Sequence, residues 1–222
     1  MKKIKRTPTL TRKAINRTPT VISKLISKKI NPLAVYATLC DFGKKHHSAL
    51  FCVDDKENAG SKRTLVMSQA ALKLSLKDSK ITLEALSPLG QSLISVFSEK
   101  ECESCILIQK ANQSKNRNTL DSERIRQPNV LDSIRKVLAL LPQNEGGFLE
   151  AQSGIVVFSF DLIESFEKME PLEKDPFEFG DFVFYLPEEL MVYDHDNQEM
   201  QISLLHLECD SESAQKRLNQ LI

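Results

Sequence analysis

Two short segments in which apolar and polar residues alternate constrain the fold of this chain most. Residues 72–76 read Leu-Lys-Leu-Ser-Leu, and residues 81–86 read Ile-Thr-Leu-Glu-Ala-Leu. This period of two is typical of a β-strand with one buried and one solvated face. Because only a few residues around Asp78 separate the segments, we predict that they pair as an antiparallel hairpin.

The remaining apolar runs predict further strands and a few helices. We expect strands at residues 49–53, 64–67, 105–108, 154–160, 182–186, 190–193 and 200–207, the first of them buried. Helices are predicted to begin at Pro32 and Asp210 and to span residues 89–97 and 128–141, with a helical turn through Phe166 and a long loop over residues 111–127. A tight turn at residues 194–197 joins the last two strands. The sequence therefore predicts an α+β fold of mainly antiparallel sheets packed with a few helices.

The charge distribution predicts two regions. Residues 1–30 contain ten Lys or Arg and no acidic residue, and the dipeptides Thr7-Pro8 and Thr18-Pro19 disfavour regular structure there. We expect residues 1–30 to be a basic, disordered arm and residues 31–222 to be a folded domain. The arm has no aromatic residue on which a base could stack, so we expect no nucleic-acid partner.

Cysteine usage and hydropathy point to a cytoplasmic protein. Five cysteines, an odd number, argue against a disulfide framework and for a reducing compartment. No stretch of eighteen apolar residues is present, and no apolar stretch follows the basic N-terminus. We therefore expect no secretion signal and no membrane partner.

Several residue groups could carry chemistry, but none forms a complete constellation. Cys102 and Cys105 have the spacing of a zinc or redox pair, yet no second pair supplies the other ligands. The group Cys40, His46, His47 and Cys52 matches no compact metal template.

The Asp194-His195-Asp196 stretch is better explained as a hairpin turn than as a catalytic pair. Gly146-Gly147 lacks the lysine of a phosphate-binding loop. The residues alone thus predict no catalytic residue and no metal ligand.

Four segments resemble the anthranilate synthase large subunit (component I). Residues 181–195, Asp-Phe-Val-Phe-Tyr-Leu-Pro-Glu-Glu-Leu-Met-Val-Tyr-Asp-His, are similar to that family's Asp-Tyr-x-Phe-Tyr-Leu-x-Glu-x-Leu-Met-Val-x-Asp-His, and this is the most specific match. Residues 155–167 resemble its Gly-Gly-Leu-Phe-Ala-Tyr-Asp-Leu-Val-x-x-Phe-Glu segment, although Ile155-Val156 replaces the glycines and Phe160 the tyrosine. Residues 123–135 and 72–90 resemble two further family segments. The resemblance extends over residues of about 31 to 222 and implies the N-terminal portion of that subunit's fold.

The resemblance also implies an activity that this chain does not carry alone. The family is a lyase that makes anthranilate from chorismate in tryptophan biosynthesis, with magnesium as cofactor in the full-length enzyme and a glutamine amidotransferase subunit that supplies ammonia. The chorismate and magnesium residues of the family lie in its later half. We therefore expect residues 31–222 to be truncated before the chorismate-binding region and to hold no cofactor.

Feedback control by L-tryptophan in the family uses a Leu-Leu-Glu-Ser motif on the first strand. The matching positions here end in Cys52 and Val53, or in Asp54 and Asp55 if a gap is introduced. Cysteine and valine cannot hold an ammonium group as a carboxylate and a hydroxyl can, while the aspartates can do so in part. We therefore expect tryptophan to be at most a weak effector.

Two other readings stay open at this point. The related aminodeoxychorismate synthase large subunit shares the fold, although the Leu-Met-Val-Tyr-Asp-His run favours anthranilate synthase. A non-enzymatic binding module could use the basic arm and an acidic body, because residues 145–199 contain fifteen acids and two lysines. The last predicted helix is still burying leucines at Ile222, which is the pattern expected of a fragment.

Overall fold

The computed structural model describes residues 18–53, 62–77, 80–100, 131–139, 141, 154–160, 162 and 180–222. Seven strands lie in these ranges: β1 Pro19–Ser27, β2 Ala49–Val53, β3 Arg63–Lys77, β4 Lys80–Ala85, β5 Ile155–Phe158, β6 Phe182–Asp194 and β7 Glu199–Leu207. The helices are α1 Pro32–Leu39, α2 Pro88–Lys100, α3 Asp132–Leu138 and α4 Ser211–Gln220, and short 3-10 segments cover Asp41–Gly43 and Glu208–Asp210.

All pairings between these strands are antiparallel. The sheet has the order β1-β7-β6-β3-β2, and β4 pairs with β3 while β5 pairs with β6. The predicted hairpins β3–β4 and β6–β7 are both present. The α+β prediction, with mainly antiparallel sheet and a few helices, is therefore confirmed.

β3 and β6 are longer than predicted, because each joins two segments that we expected to be separate strands. Their pairing shifts register around Gln69 and Ala70, where Ala70 lies opposite Pro187. Proline has no N–H to donate to a ladder, so a bulge at this point lets the pairing continue on both sides of it. The prediction of separate strands at residues 64–67 and 72–76, and at 182–186 and 190–193, is wrong in this respect.

Part of the basic arm is also ordered, which corrects the prediction of a disordered segment. Residues 19–27 form β1, which pairs along its whole length with β7. Pro19 is buried, and Ile22 and Ile26 pack against a core cluster of the sheet. The basic composition of the arm concealed this short apolar pattern, and residues 1–17 lie outside the described residues.

β2 corrects a second expectation, since we predicted a buried strand. Among the strands that the structure describes, it pairs with β3 alone and is the last strand of the sheet on that side. Phe51 is 38% exposed and Cys52 is also exposed. An unbroken apolar run does not distinguish an edge strand from a central one, which explains the error.

Helices cover both halves of the long strands. α2 and α3 cover the half that contains β4 and β5, and their Leu93 and Val137 pack with Leu74, Phe182 and Phe184. In the half that contains β1 and β7, the core residues Val66, Met191, Ile202, Met200 and Tyr193 pack with residues of α1 and α4. Burial of these apolar faces is the main contribution to stability.

Some predictions fall partly or wholly outside the described residues. The helix predicted at residues 128–141 is described only over Asp132–Leu138, and the predicted strand at 154–160 is described as Ile155–Phe158. The predicted strand at 105–108, the loop at 111–127, the turn through Phe166 and the Cys102/Cys105 pair lie outside them. No helix in the described part of the chain has the length and apolar character needed to cross a membrane.

The predicted turn between the last two strands is confirmed, and Asp194 holds it together. Its Oδ1 accepts hydrogen bonds from the backbone N–H groups of Asp196 and Asn197 at 2.9 and 3.0 Å, and its Oδ2 accepts one from the Asn197 side-chain amide at 3.0 Å. The hydrogen bond from the Asn197 backbone N–H lowers the pKa of Asp194 most, and the bonds from the Asn197 side chain and the Asp196 backbone lower it further. Burial of the carboxyl group acts in the opposite direction and raises the pKa.

We expect Asp194→Ala to destabilise the protein by about 1.5–3 kcal/mol at neutral pH, because donors to a charged acceptor lose their partner. Because folding lowers the pKa of this carboxyl group, its ionised form stabilises the folded state at pH values above the unfolded-state pKa of about 3.9. That stabilisation is lost as the pH falls through the folded-state pKa. Urea unfolding at pH 7 and at pH 3 is the measurement. The gap between parent and variant should shrink at pH 3, and an equal gap at both values would contradict this account.

Candidate functional site

A cavity of about 280 Å³ lies between α2 and α4 on the sheet. Leu204, Leu205, Leu207 and Ala214 give it apolar walls. Its polar lining comes from all the elements around it, namely Ser92 of α2, Glu188 and Glu189 of β6, His206 of β7, Asp210 of the 3-10 segment, and Ser213 and Arg217 of α4. A concave apolar site with a few convergent polar groups is the usual form of a small-molecule site.

Glu189 joins α4 to the sheet through a buried carboxylate. Its Oε1 accepts a hydrogen bond from Arg217 Nε at 2.6 Å, and its Oε2 accepts one from the Ser68 hydroxyl, also at 2.6 Å. Glu189 is only 3% exposed. The hydrogen bond to Glu189 raises the pKa of Arg217, and burial acts in the opposite direction. Both carboxylate oxygens of Glu189 therefore already have a hydrogen-bond partner within the protein.

Glu188 likewise links a helix to the sheet, in this case at the N-terminus of α2. The Ser87 hydroxyl donates to its Oε2, and the same Ser87 Oγ accepts the Gly90 backbone N–H at 3.2 Å. Ser87 thus caps the helix and links it to β6. Burial raises the pKa of Glu188, opposed by hydrogen bonds from Ser87 and Gln69. The arrangement fixes the helix N-terminus, so it explains a carboxylate in this place without a catalytic role.

Our reading of the sequence missed this carboxylate pair. Strict alternation along a strand would send Glu188 and Glu189 to opposite faces. The bulge beside Pro187 disturbs that alternation, and both side chains line the same cavity. A proline followed by two acids inside a strand-like apolar segment was the available signal.

Cys52 and Val53, two of the positions predicted for tryptophan binding, lie on the edge strand β2. Cys52 Sγ is 3.2 Å from Thr64 Oγ1, and Thr64 Oγ1 is 2.8 Å from His195 Nε2. The His195 ring also packs edge-on against Tyr193, with centroids 4.8 Å apart. The Thr64 hydroxyl thus lies between Cys52 and the His195 imidazole, within hydrogen-bonding distance of each. Asp54 and Asp55 lie outside the described residues, so the tryptophan assignment stays a prediction.

The group of Cys40, His46, His47 and Cys52 does not come together as a metal site. Cys40 is buried with its Sγ 3.9 Å from the Met67 carbonyl oxygen, and burial raises the pKa of this thiol. His47 instead lies against Tyr185, with Nδ1 3.4 Å from its hydroxyl.

No cluster of three or more His, Cys, Asp or Glu side chains within the described ranges could hold a metal ion. Magnesium prefers several oxygen ligands in an octahedron. The carboxylate oxygens of Glu189 are instead bonded to Ser68 and Arg217. The expectation that this chain holds no cofactor stays a prediction.

The fold and these clusters define an antiparallel α+β scaffold whose buried carboxylates position helices. Curated relatives agree with the resemblance found in the sequence. Anthranilate synthase component 1 of Escherichia coli is 27% identical over 205 residues, covering 86% of this chain and 38% of that protein. The proteins of the same name from Buchnera aphidicola (subsp. Baizongia pistaciae) and Vibrio cholerae are 27% and 28% identical, covering 76% and 68% of this chain.

This chain is thus similar to proteins named anthranilate synthase component 1, and the resemblance found in the sequence is confirmed. It spans about a third of the length of these curated relatives, namely 33%, 38% and 29%. No family model matches the chain.

Proposed function

We propose that this protein is a regulatory and scaffold portion of an anthranilate synthase large subunit, in the pathway to tryptophan, and is not catalytic alone. The observation that carries the proposal is similarity over 68–86% of this chain to proteins of one name, of which only about a third is matched. The carboxylates described here support it, because they are engaged in holding α2 and α4 to the sheet.

On this proposal, the lyase chemistry belongs to the portion of the relatives that this chain does not match. Chorismate and magnesium would bind there, and a glutamine amidotransferase subunit would supply ammonia. The contribution of this chain is to provide a folded sheet against which that portion is organised. The name component 1 given to the relatives supports an enzyme of more than one component.

We expect the purified chain to produce no anthranilate from chorismate, ammonia and magnesium. Catalysis of this kind needs an acid, a base or a metal cluster that faces a substrate cavity, and the described clusters are satisfied internally. Fluorescence of anthranilate is the readout, with the Escherichia coli relative as the positive control. A rate above that of an enzyme-free sample, retained through a second purification step, would contradict the proposal.

We propose that tryptophan binds weakly at most. The positions concerned are those that match the family's feedback motif, namely Cys52 and Val53, or Asp54 and Asp55. Losing one hydrogen bond to a charged ligand group costs roughly 1.5–3 kcal/mol, or about one to two decades in affinity. A missing second half of the site should cost at least as much again. Calorimetric titration should therefore give a dissociation constant of about a millimolar or weaker.

A matched variant makes the tryptophan titration sharper. The double substitution Cys52→Glu and Val53→Ser supplies the carboxylate and hydroxyl of the family motif at those positions. It should bind tryptophan about tenfold more tightly than the parent. A parent dissociation constant near or below about ten micromolar would show that the site has been misjudged.

A further inference from the structure

The cavity between α2 and α4 lies where two neighbouring strands of the sheet separate. β6 and β7 pair only as far as Glu189 and Leu204, whereas β7 continues to Leu207 alongside β1. The cavity of about 280 Å³ is lined by Glu188 from one of these strands and by Leu205 from the other. It therefore occupies the gap that opens where the pairing of β6 with β7 ends.

The backbone of β7 contributes polar groups to this gap. The Glu208 N–H donates to the Thr18 carbonyl oxygen at 3.0 Å, on the β1 side of the strand. Because hydrogen-bonding direction alternates along an antiparallel strand, the N–H and C=O of Leu205 point to the opposite side, where the ladder with β6 has ended. Leu205 thus places a backbone carbonyl oxygen on the cavity side of β7.

The charged side chains of the lining leave an excess of negative charge. Three carboxylates, those of Glu188, Glu189 and Asp210, line the cavity together with one guanidinium, that of Arg217. Arg217 is bound to Glu189 at 2.6 Å, so these two charges balance each other. Within the part of the chain that the structure describes, neither Glu188 nor Asp210 forms an ion pair. Two carboxylates therefore lack a paired cation.

Helix dipoles compensate only part of this excess. Ser87 links Glu188 to the N-terminus of α2, and Asp210 is the residue at which α4 begins. The N-terminus of a helix is equivalent to roughly half a positive charge. Two helices thus offset about one of the two negative charges, and about one remains. The lining is therefore complementary to a monovalent cation, and its carboxylates would repel an anion.

The Glu188 carboxylate has capacity for a further donor. It accepts hydrogen bonds from the Ser87 hydroxyl and the Gln69 side chain. A carboxylate offers about four lone-pair sites, so two bonds leave room for more. Burial raises the pKa of Glu188, and the charge of Glu189 raises it further, whereas the charge of Lys45 acts in the opposite direction. A donor that carries a positive charge would compensate this burial.

The rest of the lining determines the size and the apolar part of a ligand. Its apolar residues are Pro88, Leu89, Leu204, Leu205, Leu207 and Ala214. The His206 ring donates from Nδ1 to the Leu207 carbonyl oxygen at 2.8 Å, so its own strand holds it in place. A volume of about 280 Å³ lies just below the range of roughly 300–1,000 Å³ that is usual for drug-sized ligands. The cavity therefore suits a short molecule with an apolar body.

We propose that this cavity is a binding site for a small organic cation, namely a primary ammonium group on a short apolar chain. The ammonium group has three donors and no acceptor, which matches the Glu188 carboxylate, the Leu205 carbonyl oxygen and the exposed Asp210 carboxylate at the rim. The apolar chain lies against the leucines. This site goes beyond the proposed function and does not depend on it, because described residues of this chain supply all of these groups.

The test is titration of the full chain with isopentylammonium chloride, followed by heteronuclear NMR of the backbone amides. Isopentyl alcohol and isovalerate are the neutral and anionic controls of similar size. The Leu205 amide signal should shift saturably with the amine, with a dissociation constant of about a millimolar. The alcohol should bind at least about tenfold more weakly, and isovalerate more weakly still. Equal binding of either control, or no saturation by the amine up to about 50 mM, would overturn the inference.

Variants then locate the site. Glu188→Gln removes the charge and keeps an acceptor for Ser87, so it should weaken amine binding at least about tenfold. Glu212→Gln is the matched control, because Glu212 is an exposed acid of the first turn of α4 that does not line the cavity. It should bind the amine as the parent does. An equal loss in both variants would indicate non-specific charge attraction and would overturn the inference.

A second cavity variant keeps the test decisive if Glu188→Gln does not fold. Ser213→Leu places a larger side chain at an exposed lining position of α4 and leaves every charge unchanged. Because leucine is a good helix former, we expect this variant to fold and to bind the amine at least about tenfold more weakly. Amine binding equal to that of the parent would show that the ligand binds elsewhere and would overturn the inference.

Discussion

Gly90→Ala is expected to destabilise the protein by about 3 kcal/mol or more, although alanine is the better helix former. A Cβ at this position would lie 2.0 Å from the Ala71 carbonyl oxygen and 2.9 Å from its carbonyl carbon. Backbone atoms of a central strand cannot move aside as a flexible side chain can, so α2 must shift away from β3. Helix propensity alone predicts a gain of roughly 0.5–1 kcal/mol, which is the opposite sign.

Gln91→Ala is the control for the Gly90 substitution, because Gln91 is exposed on the same helix. It should change stability by no more than about 0.5 kcal/mol. Urea unfolding with an unchanged slope is the measurement. If Gly90→Ala were neutral or stabilising, the close packing of α2 on the bulged part of β3 would be wrong.

Arg217→Met should cost about 3 kcal/mol, because it leaves a carboxylate buried without its cation. Glu189 has a side chain only 4% exposed and keeps only the Ser68 hydroxyl as a donor in this variant. Removing one partner of a buried pair typically costs about 3–5 kcal/mol. We place the effect at the lower end, since the Arg217 side chain is 46% exposed and water can approach its site.

A second substitution separates this charge effect from loss of packing. Adding Glu189→Gln to Arg217→Met removes the charge and keeps an acceptor for Ser68, so most of the lost stability should return. Thermal unfolding of the two single variants and the double variant gives the coupling. A double variant no more stable than Arg217→Met would show that the guanidinium acts only through packing.

The sequence predicted best where one pattern determined the structure. Alternation in residues 72–86 and the turn at Asp194 fixed both hairpins. The sequence predicted the structure less well where contacts between distant segments determine it. Nothing local shows that β2 is an edge strand, and the Ala70–Pro187 bulge depends on a residue from each of two strands.

The same limit applies to the candidate sites. Cys52 was singled out by resemblance, but its contact with Thr64, and the contact of Thr64 with His195, arise only through strand pairing. The Glu189–Arg217 contact likewise joins β6 to a helix 28 residues later. Such contacts depend on topology and register, which local periodicity does not specify.

A chimera tests the central claim most directly. The matched segment of the Escherichia coli relative, 38% of that protein, would be replaced by this chain. The purified product would be assayed for anthranilate fluorescence with chorismate, ammonia and magnesium. If the chain is a scaffold portion of an anthranilate synthase large subunit, the chimera should form anthranilate, while the chain alone should form none. A soluble, cooperatively folded chimera with no activity would contradict that claim.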